Sequence, residues 1–224
     1  MGRTCRKQRF VFALVIFLVC FAAAWTTVRP REWDIFSGQQ ELALKTEHGI
    51  EPIMFLVKRD YAINEDGGRA KAVRLPELED GDVLVTDAVF CLGWRHGHAA
   101  IVVDAKQGIT LEAFAVGTTS DFDKTEQWEY YPRVRVLRLK ASKETREQIA
   151  EYAKTELVGI PYRLITGMID DKDMKENYWG TQCAHLVWLA FYHFGYDVDG
   201  DGGWLVTPYD LAISEQFEVV PLNE

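Results

Sequence analysis

From Pro76 onward the alternation of apolar and polar residues is regular enough to predict elements. "PELEDGDVLVTD" reads as a turn followed by an apolar strand, and "HAAIVVD" as a short apolar run of the kind that forms a strand buried on both faces. A turn at "QG" leads to "ITLEAFAV", a third strand with one acidic residue inside it. "RVRVLRL", residues 133 to 139, alternates basic and apolar positions with period two, which predicts a half-exposed strand with Val134, Val136 and Leu139 inward. "SKETREQIAEYAKTELVG" switches to helical spacing: Ser142 is the N-cap, Ile149, Tyr152, Ala153 and Leu157 form the apolar stripe, and Gly159 stops it. A second helix starts near Thr181 or Gln182, runs to Phe194 and ends at Gly195. Strands in the middle followed by helices predict an α+β fold.

Before Pro76 the pattern is weaker. "DIFSGQQELALKTEHG" reads as a helix ending near Gly49, and "NEDGGR" as a polar turn. Residues 31–75 form an N-terminal extension, 76–224 the main domain, and 1–30 a separate leader. The leader opens with basic residues and is uncharged from Phe10 to Val28, which fits either a secretory signal peptide, with "FAAAW" for cleavage, or an uncleaved membrane anchor. Both place the body outside the cytoplasm, in a secreted, periplasmic or membrane-anchored location. Cys20 follows "FLV" rather than the small residue that lipid attachment wants.

Charge narrows the function classes. The first thirty residues carry five basic and no acidic side chains, so the remainder has a net charge of −14. So acidic a body argues against a nucleic-acid reader, whose affinity comes largely from neutralising phosphates. Two cysteines lie in the body, Cys91 and Cys183. In an exported chain they are either a disulfide pair or free thiols.

Cys183 sits where loop-like "NYWGTQ" gives way to the helical "CAHLVWLAF". There the helix dipole favours the thiolate and uncapped N–H groups face outward, an arrangement suited to a nucleophile and its oxyanion. The alternative is a small apolar residue packed in a helix. A nucleophilic thiol needs a base. His185 is about 200° round the helix from Cys183, given 100° per residue, and His193 is three turns away. His98 begins the "HAAIVVD" strand and is the rigidly held candidate, with His96 the spare in a loop. Glu112, inside "ITLEAF", comes level with His98 if "DAKQG" returns the chain as a hairpin, and would orient the imidazole. "DVDGDGG" at 197–203 resembles the start of a calcium loop, but the twelfth position is Pro208 where an EF-hand has Glu, so it reads as a turn-rich loop. No zinc spacing or phosphate-binding glycine loop is present in the sequence, and no cofactor or metal is expected.

Taken together, "GDVLV", "GHAAIVVD", "LEAFAVG", "GIPYRL", "CAHLVWLAFYHFGYDV" and "TPYDL" resemble the circularly permuted NlpC-type papain-like cysteine hydrolases, specifically the YiiX/YebB-like group, over roughly Pro76 to Leu211. The resemblance implies a permuted papain-like fold, a small antiparallel sheet or half-barrel packed on helices. It implies Cys183 as nucleophile, His98 as base, Glu112 as orienting residue, and Tyr162 lining the substrate site. Two positions depart from the pattern: Arg163 follows the tyrosine where an acidic or small residue is usual, and "CAHLV" replaces "CSELV". The implied activity is hydrolysis of an amide, with an envelope peptide as substrate. "QCAHL" also echoes the "NCEHF" of lecithin:retinol acyltransferase-like proteins, so a thiol-dependent lipid acyltransferase or deacylase is the alternative. A non-catalytic envelope-binding module is a third.

Overall fold

The computed structural model describes residues 45–49, 57–91, 94–166, 172–173 and 178–223. The leader and the start of the extension lie outside the described residues. Among the described residues no helix is long and apolar enough to cross a membrane.

The fold is α+β with antiparallel sheets. In chain order the strands are β1 (Lys45–Gly49), β2 (Val57–Ile63), β3 (Val83–Thr86), β4 (Val89–Cys91), β5 (Trp94–Arg95), β6 (His98–Asp104), β7 (Ile109–Glu112), β8 (Asp121–Lys124), β9 (Arg135–Leu139) and β10 (Phe217–Val220). The helices are α1 (Lys143–Glu156), α2 (Cys183–Tyr192) and α3 (Pro208–Ile213), with a 3-10 turn at Thr125–Tyr130. One sheet has the order β10-β9-β3-β6-β7-β8, the other β1-β2-β4-β5. Every pairing in both is antiparallel.

The larger sheet is covered on both faces, and strand periodicity assigns side chains to each. Val83, Val85, Ala99, Ile101 and Val103 pack with Ile149 and Ala153 of α1, Leu157 at its C-cap and Leu186 of α2. Their neighbours Leu84, Ala100 and Val102 point the other way, to Trp128, Tyr131 and Tyr61. Each fully buried Val, Leu or Ile among them contributes roughly 1.5–3 kcal/mol. This is why "HAAIVVD" shows no polar alternation: every residue from His98 to Val103 is buried. Tyr61 on β2 carries the N-terminal region into the second cluster.

The turn at "NEDGGR" forms as its sequence predicts. Gly67 adopts φ +83°, and the N–H of Gly68 donates to Asn64 Oδ1 at 2.7 Å. Ser142 caps α1 by accepting from the N–H of Thr145, and Gly159 (φ +82°) follows the helix in the left-handed region. The second helix starts after Gln182 and its chain turns at Gly195 (φ +83°).

Three expectations are corrected. Lys45–Gly49, the end of the stretch that reads as a helix, is strand β1; its pairing to β2 supplies hydrogen bonds that outweigh local propensity. The rest of that stretch lies outside the described residues. β9 is not half-exposed: Val136 faces Trp128 and its neighbours, while Leu137 and Leu139 face the helices. The arginine that looked solvent-facing, Arg138, turns back onto buried Asp82 with two hydrogen bonds of 2.8 and 2.7 Å. Finally, β7 stops at Glu112 rather than continuing through "AFAV".

Candidate active site

His98 opens β6, opposite Thr86 at the end of β3. β6 and β7 are antiparallel with Ile101 opposite Leu111 and Val102 opposite Thr110, past a register shift near Asp104. Continuing that register puts Glu112 opposite Ala100, one diagonal step from His98 on the same face, within reach of long side chains. The hairpin return at "DAKQG" therefore does bring the two together. His98 Nε2 donates to Glu112 Oε2 at 2.7 Å, with the ring almost fully buried.

Glu112 is held by more than His98. Its other oxygen, Oε1, accepts from Thr110 Oγ1 at 2.7 Å and from Trp128 Nε1 at 2.9 Å. Burial pushes the Glu112 carboxyl up, but the charge of His98 and these three hydrogen bonds outweigh it and hold the group below its ordinary value. The Trp128 ring also stacks on His98, 5.4 Å between centroids and 12° from parallel, and Phe114 meets the imidazole edge-on at 5.0 Å. The imidazole is thus fixed in plane, with Nε2 directed at the Glu112 carboxylate.

The first residue of α2, Cys183, is a free, buried cysteine whose proximity favours protonated His98. Burial acts to lower the His98 pKa, yet hydrogen bonds to Cys183 and Glu112 and their charges prevail and raise it from 6.5 to about 9. His98 is therefore biased towards imidazolium at neutral pH.

The helix start is organised by Gln182. Its Oε1 accepts from the N–H of Ala184 at 2.9 Å and lies 3.5 Å from Cys183 Sγ, while its Nε2 donates to the carbonyl of Val206. The cap thus consumes one of the backbone donors expected to face an oxyanion. The N–H of Cys183 itself makes no hydrogen bond among the described residues. Tyr162 lies in the same core cluster as Cys183 and is bridged in parallel to Thr181, and the N–H of Arg163 donates to the Thr181 carbonyl at 2.6 Å. The "GIPYRL" segment is thereby pinned alongside the two residues preceding the thiol.

The other histidines are placed elsewhere. His185 is buried, with Nδ1 accepting from Thr181 Oγ1 at 2.9 Å and Nε2 donating to the Lys172 carbonyl at 2.8 Å. Burial lowers its pKa to about 4, so it stays neutral and structural. His193 is exposed and stacks on Tyr152 at 3.9 Å. Sequence reasoning did not find Trp128, Thr110 or Gln182. Thr110 was legible in principle, since it sits two residues before Glu112 on the same strand face. Glutamine is an unusual cap, and nothing local marks Trp128 as a partner of Glu112.

No family model matches the chain, and no curated protein matches it. Among solved structures it is similar to the metalloprotein yiiX from Escherichia coli O157:H7, with 13% identity and a TM-score of 0.49, over 66% of this chain and 99% of that one.

Proposed function

We propose that the chain is a cysteine hydrolase of the permuted papain-like, YiiX-like kind, cleaving an amide bond by covalent catalysis. The observation that carries this is the continuous Cys183–His98–Glu112 interaction at a helix start, with the imidazole locked by Glu112, Trp128 and Phe114. With His98 holding the proton at Nδ1, Cys183 Sγ attacks the carbonyl carbon. The developing oxyanion is received by the N–H of Cys183, with Tyr162 beside the acyl group. Collapse expels the amine, which takes the proton from His98. Water, deprotonated by the same imidazole, then hydrolyses the thioester and regenerates the thiol. Glu112 stays ionised throughout and stabilises the imidazolium. The substrate is assigned to an amide in cell-wall peptide, and the domain to a location outside the cytoplasm, from the leader and the family resemblance.

The test is to trap the acyl-enzyme. The full chain is incubated with an activated ester or with cell-wall peptides, quenched in acid and mapped by peptide mass spectrometry. The expected result is an acyl adduct on Cys183, absent from His98→Ala, with amine released from the peptide substrate. Turnover of long-chain acyl esters without amine release would replace the amide substrate with a lipid. Absence of any adduct or turnover, with ligand binding retained in Cys183→Ala, would overturn the enzyme reading.

A further inference from the structure

Beyond the thiol site, one cluster of carboxylates is built like a ligand shell. The loop from 197 to 203, "DVDGDGG", leaves α2 and leads to the cap of α3. Asp199 and Asp201 come from this loop and Asp210 from the first turn of α3, and one carboxylate oxygen from each lies within 4.8 Å of the others. Two oxygens on opposite sides of a calcium ion at about 2.4 Å stand about 4.8 Å apart, so the separations are compatible with one calcium shell. Magnesium, at about 2.1 Å, demands a tighter set. All three donors are hard oxygens, which disfavours zinc and copper.

A second observation points to a missing ligand. Asp199 is only 9% exposed, and its Oδ1 is buried with no hydrogen-bond partner. Its Oδ2 is taken by Lys172, which also donates to the Gly203 carbonyl at 3.1 Å. One ammonium against three carboxylates leaves the cluster net negative. Asp210 commits Oδ2 to the capping box with Thr207, and Asp201 Oδ1 accepts from the N–H of Gly203 at 2.7 Å, so each carboxylate is oriented by its own anchor. The closing ligand that an EF-hand takes from its twelfth position, occupied here by Pro208, comes instead from Asp210.

We propose that Asp199, Asp201 and Asp210 form a binding site for a calcium ion. The ion pairs with the unpartnered Asp199 oxygen and ties the 197–203 loop to the start of α3. That segment carries Val206, whose carbonyl holds the amide of Gln182, and Asp197, whose Oδ1 holds Trp188 Nε1 at 2.8 Å. Calcium thus fixes the loop that buttresses the cysteine helix, independently of whether Cys183 is catalytic.

The test uses terbium as a luminescent calcium surrogate with the full chain stripped of metal. Trp204, 78% exposed and three residues past Asp201, serves as the sensitiser. The expected result is saturable sensitised emission at one ion per chain, displaced by calcium far better than by magnesium, with a higher melting temperature in calcium than in EDTA. Asp201→Asn, an exposed change that leaves the core alone, is expected to weaken terbium binding at least tenfold, and Asp199→Asn likewise. No saturable emission from the wild type overturns the proposal. So does emission that survives Asp201→Asn unchanged.

Discussion

Replacing Glu112 with glutamine removes one negative charge from a buried cluster while keeping its shape. In the wild type the His98 pKa rises from 6.5 to about 9; burial opposes the rise, and hydrogen bonds to Cys183 and Glu112 and their charges produce it. A raised folded-state value means protonated His98 stabilises the fold fully below pH 6.5 and that this contribution is lost as pH climbs through about 9. At ~1.36 kcal/mol per pH unit, the displacement is worth about 3 kcal/mol. Urea unfolding at pH 6.5 and pH 9.5 should therefore show the wild type losing about 3 kcal/mol, or roughly 10 °C in melting temperature. In Glu112→Gln the Coulomb support is gone, burial is opposed by Cys183 alone, and the His98 titration, followed by NMR of its Cε1–H, should fall well below 9. The pH dependence of stability over that window should flatten with it. If His98 titrates near 6.5 in the wild type, or if the variant keeps the full alkaline loss, the assignment of Glu112 as the partner that holds the imidazolium is refuted.

Two further predictions concern the supports. Trp128→Phe keeps a ring over His98 but deletes the Nε1 hydrogen bond to the Glu112 carboxylate, so it should cost about 2 kcal/mol in urea unfolding and lower the His98 titration midpoint. Asp82→Ala removes the fully buried partner of Arg138 and should cost about 3–5 kcal/mol by the same assay, without changing thiol reactivity at Cys183.

The residues that carry the chemistry were legible where a local pattern fixed their direction. His98 stands at the first position of an uninterrupted apolar strand, Glu112 is the sole acid in the next, and Cys183 sits where loop composition turns helical. What the sequence hid depends on distant pairing. β9 looked half-exposed because its arginines alternate with aliphatics, yet Arg138 is drawn to Asp82, far away in sequence, and Leu137 is covered by helices that arrive later in the chain. Trp128 lies in a 3-10 turn with no period of its own, and only the β7–β8 hairpin brings that turn back over Glu112. β1 was misread for the same reason: its pairing with β2, not its composition, decides its conformation.

The central claim is that His98 activates Cys183. Alkylation by iodoacetamide, a reagent small enough for a thiol only 2% exposed, can be followed at Cys183 by mass spectrometry in the native full chain at pH 7. The wild type should react roughly tenfold or more faster than a folded His98→Ala variant. Equal rates in the two proteins would contradict the account and leave Cys183 as a buried packing residue.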